Sequence, residues 1–146
     1  MSRQAVQPGA LSLAAALVLL ACDPGALKPA EPAWGKQACA HCAMLLSDPR
    51  YAAQLTLDDG TRRYFDDVGC MVSFVADERL HPKAMWVRSA GGQGWTPAES
   101  AQFASGATTP MDSGFVTAAS GLSFTEVRRR VLETKDRQRE ASRDAQ

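Results

Sequence analysis

The sequence is poor in several features that metal and nucleic-acid sites commonly use. Its 146 residues include only two histidines, His41 and His81, and 16 basic residues are balanced by 16 acidic ones. A chain without a basic excess has no electrostatic footprint for a nucleic acid, so no nucleic-acid partner is expected. The main apolar run, residues 10–21, is too short to span a bilayer as a mature helix.

Cysteine is scarce too, and its spacing argues against two familiar kinds of site. Cys39 and Cys42 form the one Cys-x-x-Cys pair, and no second pair of cysteines or histidines accompanies it. A structural zinc site usually takes four ligands, often in two pairs, so zinc is disfavoured. No βαβ pattern surrounds the pair, which argues against a thioredoxin-like oxidoreductase.

The N-terminus predicts export and a lipid anchor. Arg3 precedes the apolar run, which ends Leu19-Leu20-Ala21-Cys22 and resembles the bacterial lipoprotein cleavage motif. Residues 1–21 are therefore predicted to be a signal peptide, with Cys22 acylated and the protein facing the periplasm. Asp23 favours the inner membrane. Residues 22–35 contain three prolines and are expected to form a flexible membrane tether.

Three cysteines remain once Cys22 carries lipid: Cys39, Cys42 and Cys70. An odd number cannot pair completely in an oxidising compartment, so at least one free thiol is predicted. A disulfide between Cys39 and Cys42 is an alternative for the other two.

Hydrophobic periodicity predicts an α+β fold of two small ββα-type units. Strands are expected over residues 50–57 and 61–65, joined by the turn signal Asp58-Asp59-Gly60. A helix should follow, capped by Asp66 or Asp67, with an apolar stripe formed by Val68, Met71, Val72 and Val75.

The second unit is expected to contain strands at residues 84–88 and 114–118 and a helix behind the capping box Ser123-Phe-Thr-Glu126. The predicted lobes are residues 36–82, with a cysteine-rich entry, and residues 83–135. A charged tail, residues 136–146, follows. A single continuous sheet is the alternative.

The soft donor atoms of the sequence fall in three short segments. The first is Cys39-Ala-His41-Cys42-Ala-Met44, the second is Cys70 in the first turn of the predicted helix, and the third is Met111 in a loop. Thiolates and thioethers favour Cu(I) and other soft ions over hard cations such as Mg²⁺ and Ca²⁺. These six residues are the candidate ligands.

Each candidate also has a structural explanation. Met44 could serve packing, and Cys70 could be a small buried hydrophobe, although the first turn of a helix stabilises a thiolate. A thiol enzyme is the functional alternative, with the cysteines as nucleophiles and Asp66 or Asp67 as a nearby carboxylate.

In combination, these segments resemble the NosL family of nitrous oxide reductase accessory proteins. The resemblance covers about residues 36–120 and is carried by the lipoprotein motif and the segments Cys39-Ala-His-Cys42-Ala-Met44, Tyr64-Phe-Asp-Asp-Val-Gly-Cys70-Met71 and Thr109-Pro-Met111-Asp-Ser-Gly114. Family members often have glycine where this chain has Ala43.

The resemblance implies a lipid-anchored chaperone that binds one Cu(I) and delivers it for assembly of nitrous oxide reductase metal centres. It implies ligands among Cys42, Met44, Cys70 and Met111, with Cys39 and His41 behind them. The implied partners are a copper transporter or ABC-type assembly complex and the reductase. The fold expected for the family is also similar to organomercurial lyase, which is consistent with the enzymatic alternative.

Overall fold

The structure, a computed structural model, describes residues 27–145, so the predicted signal peptide and Cys22 lie outside the described residues. Two antiparallel sheets account for all the strands of this part of the chain. The four-stranded sheet has the order β2-β1-β3-β4, with β1 at Ala53–Thr56, β2 at Arg62–Phe65, β3 at Ala84–Arg88 and β4 at Trp95–Pro97. The three-stranded sheet has the order β6-β5-β7, with β5 at Gln102–Ser105, β6 at Phe115–Ala118 and β7 at Leu122–Ser123.

Two α-helices complete the fold: α1 spans Val68–Asp77 and α2 spans Phe124–Asp144. Helix α1 packs on β1 and β2 and against α2, and α2 in turn packs on β5 and β7. The predicted α+β class, with antiparallel strands and hairpin-plus-helix units, is confirmed. No helix within residues 27–145 has the length and apolar character needed to cross a bilayer.

The hairpin of β1 and β2 forms where the turn signal predicted it. Ala53 lies opposite Phe65 and Thr56 opposite Arg62, and Gly60 adopts a φ of +81° in the turn between them. A positive φ is readily available to glycine because it has no Cβ. The hairpin matters for the site because α1 begins three residues after β2 ends.

Helix α1 also follows the predicted pattern. The Asp67 side chain accepts a hydrogen bond from the backbone N–H of Cys70 at 2.9 Å, which caps the helix N-terminus. The four residues of the predicted stripe are all buried, so this face of α1 is fixed against the sheet and cannot rotate without exposing them: Val68, Met71, Val72 and Val75.

The division of strands between the two units differs from the expected boundary at residues 82 and 83. Strand β3 pairs with β1, with Val87 opposite Ala53, and β4 extends the same sheet. All four residues of β1 are buried, as befits a central strand that hydrogen-bonds along both edges. The second sheet therefore begins only at β5.

The segment predicted to be a charged tail is helical as far as Asp144. Asp77 of α1 forms ion pairs with both Lys135 and Arg139 of α2, which attach this part of α2 to the domain. Closer to its N-terminus, Arg129 is paired with Glu126 and Glu133 at helical spacing. Such pairs stabilise a solvated helix that has little apolar surface to bury.

The described part of the predicted tether, residues 27–35, is fastened to the domain. Ala30 exchanges two hydrogen bonds of 3.0 Å with the Gln54 side chain. Glu31 receives two hydrogen bonds, of 2.8 and 2.7 Å, from the Arg88 guanidinium, which lies between the rings of Trp34 and Trp95. Arg88 is almost completely buried and needs a counter-ion, which Glu31 supplies.

Glu31→Gln should therefore weaken the fold at neutral pH by about 1 kcal/mol, less than the roughly 1.5–3 kcal/mol of a buried hydrogen bond to a charged group because Glu31 is itself half exposed. The hydrogen bonds from Arg88 lower the pKa of Glu31. A lowered folded-state pKa gives stability that is present above the unfolded value of about 4.3 and is lost as pH falls through the folded value. Urea unfolding at several pH values measures this.

The difference between wild type and Glu31→Gln should shrink as the solution is acidified below pH 4. Glu99→Gln, at an exposed glutamate, is the matched control and should leave the stability at neutral pH unchanged. A constant difference down to pH 2 would contradict the role given to the Glu31 carboxylate.

Candidate metal centre

Three cysteine sulfur atoms from two separate segments meet at one point of the structure. The Sγ atoms of Cys39, Cys42 and Cys70, hereafter the thiol cluster, all lie within 4.8 Å of one another. All three thiols are free, so the predicted alternative of a Cys39–Cys42 disulfide is not the state of this structure. Cys39 and Cys70 are buried and Cys42 is half-buried. The three residues are close enough to hold a metal ion.

The first two sulfurs are placed by a tight hairpin over residues 38–45, hereafter the cysteine hairpin. The backbone N–H of Cys39 donates to the Met44 carbonyl at 2.8 Å, and that of Ala43 donates to the Cys39 carbonyl at 3.0 Å. A further bond, from Ala40 N–H to the Tyr64 carbonyl at 2.8 Å, attaches the hairpin to β2. Because β2 leads into α1, the same strand positions both the hairpin and Cys70.

Ala43 carries the backbone strain of the cysteine hairpin. Its φ is +62°, in the left-handed region that L-residues with a Cβ occupy at a cost of about 1–2 kcal/mol. Members of the NosL family, which the sequence resembles, often have glycine at this position. The strained conformation turns the chain between Cys42 and Met44, and thereby keeps the Cys42 sulfur beside that of Cys39.

Hydrogen bonds around Cys39 make it the acidic member of the cluster. The Cys70 thiol donates to Cys39 Sγ, and with help from the backbone N–H groups of Cys42, Asp66 and His41 it lowers the pKa of Cys39 to about 5. The same hydrogen bond to Cys39, together with burial, raises the pKa of the Cys70 thiol. The opposite directions of the two pKa shifts reflect one interaction between the two sulfurs, with Cys39 as the more acidic member.

Burial acts in the opposite sense on the other groups near the cluster. It raises the pKa of Cys42, and it raises the pKa of the carboxyl group of Asp66. Asp66 is 1 % exposed, and its Oδ1 has no hydrogen-bond partner among the described residues. A metal ion bound at the cluster would displace the protons that these thiols carry.

A cleft of about 480 Å³ opens beside the cluster, between α1, α2 and the loop that precedes β6. Cys70 is the member of the thiol cluster that lines it, together with the predicted ligands His41 and Met111. His41 is exposed, and Met111 is 39 % exposed. Two outer candidates are therefore placed on the Cys70 side of the cluster.

Met44 has a different position from Met111. Its side chain is 53 % exposed, as is that of the next residue, Leu45, and it does not line the cleft. Its backbone N–H donates a hydrogen bond to Cys42 Sγ. The structure thus brings three of the six candidate ligands together, puts two on the neighbouring cleft and leaves the Met44 side chain exposed to solvent.

Two residues that organise the site have roles the sequence analysis did not assign. Asp67, predicted as a possible helix cap or as a carboxylate near the thiols of an enzyme, also accepts hydrogen bonds from Thr109 Oγ1 at 2.9 Å and from Met111 N–H at 3.3 Å. Both Asp67 and Thr109 are buried. The sequence around these two residues does not reveal that they are partners.

The ligand count distinguishes this site from a closed structural zinc site. Within residues 27–145, no fourth histidine, cysteine, aspartate or glutamate joins the three cysteines. Structural zinc sites are almost always four-coordinate. The three thiols alone therefore do not complete a structural zinc site.

Comparison with known proteins adds no family assignment. No family model matches the chain, and neither the curated proteins nor the solved structures contain a significant match. The geometry of the site is therefore the basis for any functional conclusion.

Ala43→Gly should stabilise the protein, because glycine adopts the left-handed conformation without the Cβ penalty. The gain should be about 0.5–1 kcal/mol after subtraction of the extra entropy that glycine has in the unfolded chain. Chemical denaturation measures it. Ala40→Gly, in the same hairpin but without a positive φ, is the matched control and should destabilise the protein. Equal effects of the two substitutions would argue against strain at Ala43.

Proposed function

We propose that this protein is a Cu(I)-binding chaperone whose metal centre is the thiol cluster. The observation that carries the proposal is the convergence of Cys39, Cys42 and Cys70 within 4.8 Å, without a fourth protein ligand of the type that zinc prefers among residues 27–145. Thiolate sulfur selects Cu(I) over harder ions.

A centre of this kind suits a carrier. Cys39 supplies one negative charge before any metal arrives, and its surrounding N–H groups keep that charge stable while the ion approaches. Cys42 is half-buried and Cys70 borders the cleft, so an incoming ligand can reach the ion without unfolding the domain. Exchange of sulfur ligands would then transfer copper without releasing it to water.

The recipient is proposed from the resemblance to the NosL family. On that basis, the copper is delivered for assembly of the metal centres of nitrous oxide reductase, with a copper transporter or ABC-type assembly complex as a further partner. The lipoprotein motif supports a periplasm-facing protein anchored through Cys22. Loss of labelled palmitate from a Cys22→Ser variant would test the anchor, and the copper content of reductase from cells lacking this protein would test delivery.

Anaerobic titration of the purified protein with Cu(I), against a competing chelator, tests the proposal. One ion per chain is expected. Cys39→Ser, Cys42→Ser and Cys70→Ser should each weaken binding more than about 100-fold. Loss of a residue that only supports a metal ligand commonly costs about 10- to 100-fold in affinity, and loss of the ligand itself should cost more. Met85→Leu, at a half-buried methionine of β3, is the control and should bind as wild type does.

The same titration compares the contributions of His41, Met44 and Met111 to Cu(I) affinity. Met111→Leu, Met44→Leu and His41→Ala remove one candidate donor each and leave the thiol cluster in place. Wild-type binding no tighter than that of the three cysteine variants would disprove the proposal. Tight binding of Zn²⁺ with weak binding of Cu(I) would favour a structural metal site instead.

A thiol enzyme is the second candidate, favoured by one specific observation. The Cys39 thiolate lies near Asp66, a buried carboxyl group with an unpartnered oxygen, and this pairing of a nucleophile with a proton carrier is typical of thiol chemistry. Cys39 is only 2 % exposed, which limits access for a substrate. Turnover of a model disulfide or mercurial, lost in Cys39→Ser, would favour this candidate over the first.

A further inference from the structure

We propose that Asp67 is a positioning residue that holds Met111 beside Cys70, so that the Met111 thioether joins the three thiols around the ion. The proposal rests on the proposed function, because it takes copper to bind at the thiol cluster. It adds a residue that touches no metal but determines which donors the metal meets.

The Asp67 carboxylate joins two segments that are remote in sequence. Its Oδ1 accepts the backbone N–H of Cys70 at 2.9 Å. Its Oδ2 accepts Thr109 Oγ1 at 2.9 Å and the backbone N–H of Met111 at 3.3 Å. The group is completely buried, so no water competes for these bonds. A single rigid carboxylate thus connects the backbone of one cysteine ligand to that of Met111.

The second oxygen of Asp67 is unnecessary for the helix itself. A cap needs one acceptor oxygen, and asparagine or serine at this position would supply it equally well. Burial of a carboxylate is costly unless its oxygens are hydrogen-bonded. The Oδ2 atom of Asp67, which the helix cap does not use, accepts its hydrogen bonds from the loop that carries Met111. This indicates that Oδ2 serves to hold that loop.

Close packing prevents that loop from sliding along α1. A Cβ added at Gly69 would lie 2.5 Å from Ser113 Cβ, so the loop lies directly on the first turn of the helix. Thr109 Oγ1 also accepts the backbone N–H of Gly114 at 3.3 Å, which fixes the shape of the loop. The loop and α1 are therefore expected to move as one unit while the hydrogen bonds to Asp67 are intact. Loss of those bonds would allow the loop to move away from α1.

The side chain held in this way is not used for packing. Met111 is 39 % exposed and borders the same cleft as Cys70. A long, unbranched thioether can reach toward a neighbouring ion by changing its rotamer. A buried hydrogen-bond network that holds an exposed methionine in place is difficult to explain by stability alone.

The test is a double-mutant cycle with Asp67→Asn and Met111→Leu. Asparagine can still cap Cys70 through its carbonyl oxygen, but its NH₂ group would then face the Met111 N–H, donor to donor. Each single substitution should weaken Cu(I) binding by about 5- to 20-fold, and the double variant should bind no more weakly than the single variants, which indicates coupling. Asp58→Asn, at an exposed aspartate of the turn between β1 and β2, is the matched control and should retain wild-type affinity.

A spectroscopic readout separates positioning from general destabilisation. In wild type labelled with methyl-¹³C methionine, addition of Cu(I) should shift the Met111 methyl resonance, and in Asp67→Asn that shift should disappear. If Asp67→Asn does not fold, Thr109→Val and Thr109→Ser replace it. Valine removes the hydroxyl group that donates to Asp67, and serine keeps it, so serine should preserve the shift and the affinity.

Three results would overturn the proposal: a Met111 methyl resonance that copper leaves unmoved in wild type, wild-type affinity in Met111→Leu, or additive losses in the double variant. Any of these, with copper binding still dependent on the three cysteines, would remove the role of Asp67 and leave the proposed function intact. Absence of copper binding in wild type would remove both.

Discussion

The convergence of the Cys39, Cys42 and Cys70 sulfurs within 4.8 Å is the constraint on which the site depends. It requires the cysteine hairpin to lie against the first turn of α1, although the sequence places the two segments on opposite sides of the β1–β2 hairpin. The bond from Ala40 N–H to the Tyr64 carbonyl attaches the cysteine hairpin to β2, and loss of that attachment would separate Cys39 and Cys42 from Cys70. The fold thus brings the cysteine hairpin and the N-terminus of α1 together.

The elements that position the site are determined by local sequence patterns and by a few long-range contacts. Helix α1 is fixed by its buried stripe and its Asp67 cap, and the hairpin before it by the turn at Gly60. The charges around the site act in a consistent way. The Cys70 side chain and backbone N–H groups lower the pKa of Cys39, the interaction with Cys39 and burial raise that of Cys70, and burial raises that of Cys42.

Local elements were predictable because their information is local. The stripe that begins at Val68 and the turn ending at Gly60 predicted α1 and the first hairpin in the right places. The partner of β3 was not predictable in this way, since its pairing with β1 depends on a remote edge. Strands β4 and β7 are three and two residues long, too short to show an alternating pattern.

The site was predicted in composition but not in arrangement. The six candidate ligands came from residue type and from the resemblance to a family, whereas the structure brings Cys39, Cys42 and Cys70 together and leaves the Met44 side chain 53 % exposed. Proline-rich composition suggested a free tether over residues 22–35, yet Glu31 binds the buried Arg88. This ion pair and the bonds from Asp67 to the Met111 loop both link segments that are remote in sequence. Neither segment contains a pattern that identifies its partner.

X-ray absorption at the copper edge of the copper-loaded protein tests the central claim most directly, because it counts the atoms around the ion. Three thiol sulfurs that converge before the metal binds should appear as a first shell of sulfur at a Cu(I) edge energy, and this shell should lose sulfur in Cys70→Ser. A first shell of nitrogen and oxygen, or a sulfur count that Cys70→Ser does not change, would contradict a copper centre at these cysteines.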